Sequence, residues 1–212
     1  MGTLKRYSAS EIQRIEIKKM KIKKLIEEYQ EKILPTIGKY IKKKNILDVG
    51  CGNGINSVLF NKKYNSKMTL IDFQDIRDKE AYHFPFQKCS VEKIPFENET
   101  FEVVFIQYVL HHLPQEINLQ NVFKELKRVG EIIIIIEEII TEKTNIKKAK
   151  EFDAKINDLI HPSTIMPIYK YYSDTELKKL FKNTNLKIIE EIIINNGYKE
   201  NGFLQQKIYI LK

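Results

Sequence analysis

Residues 46–54, ILDVGCGNG, join a short apolar run to three glycines at alternate positions. The apolar run predicts a strand that is buried on both faces except at the carboxylate of Asp48. Glycine accepts positive φ and lacks a Cβ, so the backbone after this strand can turn sharply and approach a ligand closely. From Ile55 the sequence can begin a helix whose first amide groups face the same ligand. A strand, a glycine turn and a helix in this order are typical of α/β proteins that hold a nucleoside cofactor.

The glycine spacing separates two classes of cofactor. A dinucleotide fingerprint aligned on Gly50 and Gly52 requires its third glycine at position 55, which is Ile55 here. The spacing is G-x-G-x-G instead, and the acidic residue Asp48 precedes the first glycine by two positions. The stretch resembles motif I of the class I S-adenosylmethionine (SAM)-dependent methyltransferases; a glycine turn without a ligand is the alternative. The resemblance implies that four residues bind the cofactor: Asp48, Gly50, Cys51 and Gly52. The two glycines among them would bind its methionine end.

Two residues after the second predicted strand are candidates for binding the ribose and the adenine. The strand covers residues 67–71, and Asp72 follows it, 18 residues beyond Gly54. A carboxylate at this distance can accept hydrogen bonds from both hydroxyls of a ribose diol, although an acidic helix cap is the alternative. Phe73 comes next and is expected to pack on the adenine face.

The segment after the third predicted strand, residues 84–89, also resembles the family. There the family places an acidic residue that binds the adenine amino group, and the next backbone amide binds a ring nitrogen. Ser90 occupies the acidic position in this chain, so its hydroxyl would accept the hydrogen bond without a charge. The resemblance implies that Val91 contributes the amide.

Polar residues follow the fourth predicted strand, where residues 107–114 read QYVLHHLP. Open parallel sheets bind ligands at the carboxyl ends of their strands, so Gln107 and His111 are expected beside the crevice. The resemblance places Gln107 near the methionine end of the cofactor. An imidazole titrates near neutrality, which makes His111 a candidate base for a substrate proton. The alternative is that His111 orders the helix predicted over residues 115–129.

The β-branched run at residues 132–136 predicts a buried fifth strand that finishes at Glu137 and Glu138, again at the ligand edge. Glu137 is a candidate for orienting a substrate or for acting as a base. A glutamate, His111 and His161 are residue types that bind metals, but their spacing does not demand a metal site, and none is predicted.

Residues 141–172 extend the chain beyond a minimal α/β core. A charged helix, about residues 143–160, precedes the segment HPSTIMPIYKYY. In methyltransferases that act on small molecules, an insertion at this point usually forms a lid over the acceptor pocket. Aromatic and methionine side chains give such a pocket an apolar wall with polar tips, although a hydrophobic loop packed on the core is the alternative. The predicted acceptor-binding residues are His111, His161, Tyr169, Tyr171 and Tyr172.

The N-terminal extension, residues 1–44, is predicted to be helical. Apolar residues recur at helical spacing over residues 10–34, and Pro35 and Gly38 then predict a break before a second short helical piece. In methyltransferases of this type such an extension often closes over the cofactor. Tyr7 is therefore a further candidate for acceptor binding, with a surface aromatic as the alternative.

The net charge and the cysteine content limit the classes of partner and cellular compartment that remain. Lys and Arg number 36 against 28 Asp and Glu, and this formal charge of +8 either favours an acidic partner such as RNA or reflects a lysine-rich composition. Cys51 and Cys89 provide neither a disulfide framework nor a zinc spacing, which favours a reducing cytoplasm. We expect neither a secretion signal nor a bilayer span, because no apolar run is long enough.

Taken in order, the elements predict one domain, residues 1–212, with a doubly wound α/β fold. Its sheet is predicted to be mostly parallel and seven-stranded, with helices on both faces. The resemblance covers residues 40–140 through its motifs and implies methyl transfer from SAM to an O, N or C atom of a small-molecule acceptor, with S-adenosylhomocysteine as product. Two alternatives stay open: an RNA (tRNA) methyltransferase, favoured by the net charge and the lysine-rich first helix, and a non-catalytic SAM-binding subunit.

Overall fold

The computed structural model describes residues 9–160, 166–195, 197 and 199–212. Two predicted acceptor-binding residues, Tyr7 and His161, lie outside the described residues. The described helices are α1 (Ala9–Ile41), α2 (Ile55–Tyr64), α3 (Leu119–Val129), α4 (Ile146–Ile160) and α5 (Asp174–Asn183). The strands are β1 (Asn45–Val49), β2 (Lys67–Asp72), β3 (Phe86–Lys88), β4 (Phe101–Gln107), β5 (Gly130–Ile140), β6 (Tyr172–Ser173), β7 (Ile188–Asn195) and β8 (Gln205–Leu211). No described helix is long and apolar enough to cross a membrane.

One sheet organises the described chain, with the strand order β3-β2-β1-β4-β5-β8-β7. The first five strands of this order, from β3 at the edge to β5, are parallel to one another. Strand β8 is antiparallel to both β5 and β7. This arrangement confirms the predicted mostly parallel α/β sheet. The sheet also has one strand more than the seven predicted, because the two-residue β6 pairs with Ile139 and Ile140 at the end of β5.

Helices cover the sheet on both faces, as the doubly wound pattern predicts. One apolar cluster joins sheet residues such as Val104 and Ile135 to α3 and α5. The second cluster joins Phe105 and Ile134 to α1 and α2 on the opposite face. Because successive strand residues alternate between faces, β5 contributes to both clusters and is buried over residues 133–139.

The predicted break in the N-terminal helix is wrong, because α1 continues through Pro35 and Gly38. The end of α1 carries a buried apolar stripe that faces the second cluster: Ile33, Leu34, Ile37 and Ile41. Burial of this stripe outweighs the helical hydrogen bond that a proline cannot donate. Gly38 serves packing rather than a turn, since a Cβ there would lie 2.8 Å from Cε1 of Tyr64 in α2.

The insertion that follows β5 packs onto the body of the protein through contacts of its own. Its helix, α4, begins at Ile146 instead of residue 143 and contacts α1. A third, small apolar cluster consists of Ala149, Tyr171 and Leu204. The predicted helix at residue 115 likewise begins later, at Leu119, where the side chain of Asn118 caps it by accepting a 2.9 Å hydrogen bond from the Gln120 amide.

Candidate functional site

The carboxyl ends of the parallel strands form one edge of the sheet. β1 pairs with β2 on one side and with β4 on the other, so the strand order reverses direction between β1 and β4. Such a switch point leaves a crevice beyond the strand ends, between connections that leave toward opposite faces. The residues at and just after the carboxyl ends of β1, β2, β4 and β5 are therefore expected at a single crevice.

The glycine turn after β1 is folded as the sequence predicts. Gly50, Gly52 and Gly54 have φ values of 67°, 54° and 78°, in the left-handed region that favours glycine. The amides of Gly50 and Cys51 both donate to the Ile71 carbonyl, at 2.9 and 3.1 Å, and so bind the turn to β2. Gly54 is the N-cap of α2, which directs the first amides of that helix toward the crevice.

Asp48 is buried beneath this turn, with 2% of its surface exposed. Its Oδ2 accepts a 2.6 Å hydrogen bond from Oγ of Ser57 in α2. Burial raises the pKa of Asp48 to about 7, and the Ser57 hydrogen bond opposes the rise only in part. A cation that enters the turn favours the ionised carboxylate, so Asp48 is suited to a ligand that carries positive charge.

Asp72 ends β2 beside the glycine turn. Its carboxylate accepts hydrogen bonds from the amides of Gly52 (3.0 Å) and Gln74 (3.2 Å). Burial raises the pKa of Asp72, while these backbone hydrogen bonds oppose the rise. Phe73, the next residue, is 61% exposed and thus offers a ring face to a ligand.

The predicted adenine segment is held against the same strand end. The Cys89 amide donates to the Asp72 carbonyl at 3.0 Å, immediately before Ser90. Ser90 is exposed, and its Oγ accepts a 3.3 Å hydrogen bond from the Glu92 amide. Val91 packs against the first apolar cluster. The structure therefore brings the predicted ribose and adenine residues together.

Gln107 ends β4 and is 8% exposed. Its Oε1 accepts a 3.2 Å hydrogen bond from Nε2 of Gln30 in α1. Its own Nε2 has no hydrogen-bond partner within the described part of the chain. Buried amide groups normally have a partner, so this donor points to an acceptor atom supplied by a ligand. α1 also reaches this strand end through Tyr29, whose Oη lies 2.7 Å from Oη of Tyr108.

His111 lies in a short 3-10 turn after β4, and Glu137 lies in β5. Nδ1 of His111 is 2.6 Å from Oε1 of Glu137, and the two residues are 3% and 0% exposed. Burial by itself lowers the pKa of His111, but the charge and the hydrogen bond of Glu137 outweigh burial and raise it to about 9. The ring therefore carries a proton at neutral pH. The predicted role of His111 as a base requires that the ring first lose this proton.

Glu137 uses both carboxylate oxygens inside the protein. Besides the bond with His111, Oε2 accepts from the Leu110 amide and Oε1 from the Glu138 amide, each at 2.9 Å. We interpret this fully buried side chain as the one that orients His111 and binds the turn after β4 to β5. Its predicted role toward a substrate, as an orienting group or a base, stays a proposal.

The predicted tyrosines lie in different environments. Tyr171 is 4% exposed, and its Oη donates to Asp153 in α4. Its ring centroid lies 5.5 Å from that of His111. Tyr169 is 38% exposed but reaches His111 through its backbone amide, which donates to the His111 carbonyl at 2.9 Å. Tyr172 forms part of β6 and packs on the first cluster.

Two buried acids at this edge were not among the predicted site residues: Glu138, which is 6% exposed, and Asp153, which is 9% exposed. Burial and the charge of Asp153 raise the pKa of Glu138 to about 8. Burial also raises the pKa of Asp153, against the hydrogen bond from Tyr171. The sequence offers one signal for Asp153, its spacing from Ala149. The two residues are one helical turn apart, so Asp153 lies on the same face of α4 as the fully buried Ala149.

Residues 47–132 match a family model described as a methyltransferase domain. The solved structure of a SAM-dependent methyltransferase from Archaeoglobus fulgidus shares the fold, with a TM-score of 0.63 at 16% identity over 90% of this chain and 94% of that chain. The matched segment contains the glycine turn, and the chain shares the fold of solved SAM-dependent methyltransferases. Both findings agree with SAM as the cofactor that the resemblance of the glycine turn implies.

Two further proteins are similar to this chain. Geranyl diphosphate C-methyltransferase from Streptomyces coelicolor A3(2), solved with Mg²⁺, geranyl diphosphate and S-adenosyl-L-homocysteine, has a TM-score of 0.62 at 12% identity over 88% of this chain and 79% of that chain. The tRNA U34 carboxymethyltransferase of Nautilia profundicola is 23% identical over 146 residues, 65% of this chain and 49% of that protein. The chain thus spans about half the length of this relative.

Proposed function

We propose that this protein transfers the methyl group of SAM to an O, N or C atom of a small-molecule acceptor. The enclosure of the polar groups beside the cofactor crevice supports this proposal. His111, Glu138 and Asp153 are 3%, 6% and 9% exposed, and the last of them belongs to the inserted helix α4. A small acceptor can approach such recessed groups, whereas a base within a folded RNA has to be extruded before it reaches them.

The proposed cofactor contacts follow the strand ends. On the methionine side we assign the turn at residues 50–52, Asp48 beneath it and Nε2 of Gln107, which is free to donate to the carboxylate of SAM. The positive charges of the sulfonium and the ammonium suit the buried Asp48 carboxylate. On the nucleoside side we assign Asp72 to the ribose and Phe73, Ser90 and Val91 to the adenine.

Methyl transfer requires mainly alignment from the protein. The sulfonium is already a strong methyl donor, so in-line placement of the acceptor and exclusion of water supply most of the rate. His111, oriented by Glu137, would position a polar acceptor at the end of β5, and the Tyr171 ring would form part of the pocket wall beside it. The other predicted contacts to the acceptor remain proposals: Tyr7, His161, Tyr169 and Tyr172.

Replacement of Asp72 tests the cofactor site. Asp72→Asn keeps the shape of the side chain but removes the charge that accepts the ribose hydroxyls. We expect the affinity for S-adenosylhomocysteine to fall by about 1–3 kcal/mol, roughly 5- to 150-fold, in a calorimetric titration. Asp75→Asn is the matched control, since Asp75 pairs with Arg77 at 2.8 Å near the surface. Equal affinities for Asp72→Asn and the unaltered protein would remove Asp72 from the site.

A second candidate function is methylation of an RNA such as tRNA. The name of the Nautilia profundicola relative and the formal charge of +8 favour it. Contacts to phosphates release counterions, so the logarithm of an RNA affinity falls linearly with the logarithm of the salt concentration. We expect tRNA binding, measured by filter retention at about 50 and 200 mM salt, to be weak at both concentrations. Tight binding that weakens by about tenfold or more over this range would favour RNA over a small molecule.

A further inference from the structure

Three side chains that bind metals in other proteins converge at the carboxyl end of β5. His111 comes from the turn after β4, Glu138 from β5 and Asp153 from α4. One ring nitrogen of His111 and one carboxylate oxygen from each acid lie within 4.8 Å of one another. Bonds from nitrogen or oxygen to a metal are about 2.0–2.2 Å long, so opposite ligands are roughly 4 Å apart. The group therefore needs to contract by less than about 1 Å to surround an ion.

Each of these three side chains also forms a hydrogen bond with a second side chain. Oε1 of Glu137 binds Nδ1 of His111 at 2.6 Å, and Nε2 of Gln206 donates to Oε1 of Glu138 at 3.3 Å. The Tyr171 hydroxyl donates to Oδ2 of Asp153. Metal ligands in proteins are commonly oriented by such outer hydrogen bonds, and a carboxylate on the far nitrogen of a histidine is the most frequent form.

The His111 ring has one nitrogen to offer. Among the described residues, the ring hydrogen-bonds only to Glu137, through Nδ1, although it is 3% exposed. Nε2 therefore remains available to a metal ion once its proton is displaced.

We propose that His111, Glu138 and Asp153 form a binding site for a divalent transition-metal ion. One imidazole with two carboxylates suits Mn²⁺, Fe²⁺ or Zn²⁺ better than Mg²⁺, which prefers an all-oxygen shell and keeps several waters. The ion displaces protons from its ligands when it binds. It would lie at the strand edge that holds SAM, where a divalent cation can bind an acceptor oxygen and lower its pKa. The site does not depend on which acceptor is methylated.

Metal titration of the untagged protein tests the site. The protein is dialysed against EDTA, then against metal-free buffer, and titrated calorimetrically with Mn²⁺, Zn²⁺ and Mg²⁺. We expect one Mn²⁺ or Zn²⁺ per chain and at least tenfold weaker binding of Mg²⁺. Glu138→Gln and Asp153→Asn are each expected to weaken Mn²⁺ binding by about 10- to 100-fold or more, the range observed when outer partners are removed. The control His112→Gln replaces the neighbouring histidine, whose Nδ1 binds the Pro167 carbonyl at 2.9 Å, and should bind Mn²⁺ like the unaltered protein.

A second measurement locates the ion without substitutions. Bound Mn²⁺ broadens NMR signals of nearby nuclei, so the amide signals of Glu138 and Tyr171 should broaden before that of Ile193 in β7. Absence of Mn²⁺ and Zn²⁺ binding, affinities unchanged in both acid variants, or broadening elsewhere would overturn the proposal. S-adenosylhomocysteine is titrated into the same samples, so a protein that binds it but no metal would refute the metal site alone.

Discussion

Glu137→Gln is expected to lower the free energy of unfolding by about 3–5 kcal/mol, the usual cost of removing one partner from a buried ion pair. Glu137 is fully buried and accepts three hydrogen bonds, from His111 and from the amides of Leu110 and Glu138. A glutamine offers one carbonyl oxygen instead of two carboxylate oxygens and removes the charge that is hydrogen-bonded to the imidazole. Urea unfolding at neutral pH measures the loss.

Glu190→Gln is the matched control for this experiment. Glu190 in β7 pairs with Lys39 at 2.8 Å, and the lysine side chain is 62% exposed. A surface pair of this kind contributes about 0–1 kcal/mol. The double variant Glu137→Gln/His111→Gln should lose less stability than the sum of its single variants, because the two residues act as a unit. A loss below about 1 kcal/mol for Glu137→Gln would show that the pair does not hold the strand ends together.

Gly54→Ala is expected to destabilise the protein by about 2–5 kcal/mol and to weaken binding of S-adenosylhomocysteine. Gly54 has a φ of 78°, which costs a residue with a Cβ about 1–2 kcal/mol. The added Cβ would also lie 2.5 Å from Cβ of Ala81. Ala81 is fully buried and has no rotamer by which to move away, so overpacking adds about 1–3 kcal/mol.

The double variant Gly54→Ala/Ala81→Gly separates the two causes. Removal of the Ala81 Cβ relieves the contact and leaves the backbone strain, so the double variant should be more stable than Gly54→Ala alone and less stable than the unaltered protein. Urea unfolding and the S-adenosylhomocysteine titration are carried out on all three proteins. A double variant no more stable than Gly54→Ala would rule out the contact with Ala81 as the origin of the loss.

The backbone geometry of the proposed cofactor site could be predicted because its signals are local. The glycines at residues 50, 52 and 54 stand where the backbone takes a positive φ, a requirement that the residue type reveals directly. Asp72 is the last residue of a strand that the apolar pattern identifies, and Phe73 follows it. The parallel sheet then follows from the alternation of strands and helices, and the structure confirms it.

The error in α1 has a tertiary cause. Pro35 and Gly38 are helix breakers by local rules, and the sequence predicted a break on that ground. Burial of Ile37 and Ile41 against the sheet, and the close approach of Tyr64 to Gly38, depend on how helices pack on the finished sheet. Local propensity is weak beside such packing, and no short stretch of sequence contains it.

The acceptor half of the site depends on pairings between distant residues. His111 meets Glu137 because β4 and β5 run parallel with Gln107 opposite Ile136, a register that neither strand specifies alone. Asp153 reaches them only because α4 folds back across the strand end. Sequence reasoning therefore named His111 and Glu137 separately but did not pair them. It placed Glu138 at the ligand edge without giving it a role, and it did not include Asp153.

The crevice formed by the glycine turn, Asp72 and Gln107 should hold SAM, and one titration tests this most directly. S-adenosylhomocysteine is titrated into the purified protein in a calorimeter, with NAD as the comparison ligand. We predict micromolar or tighter binding of S-adenosylhomocysteine, one per chain, and no binding of NAD. Binding of NAD, or no binding of S-adenosylhomocysteine by the folded protein, would contradict the assignment of the crevice and of every cofactor contact built on it.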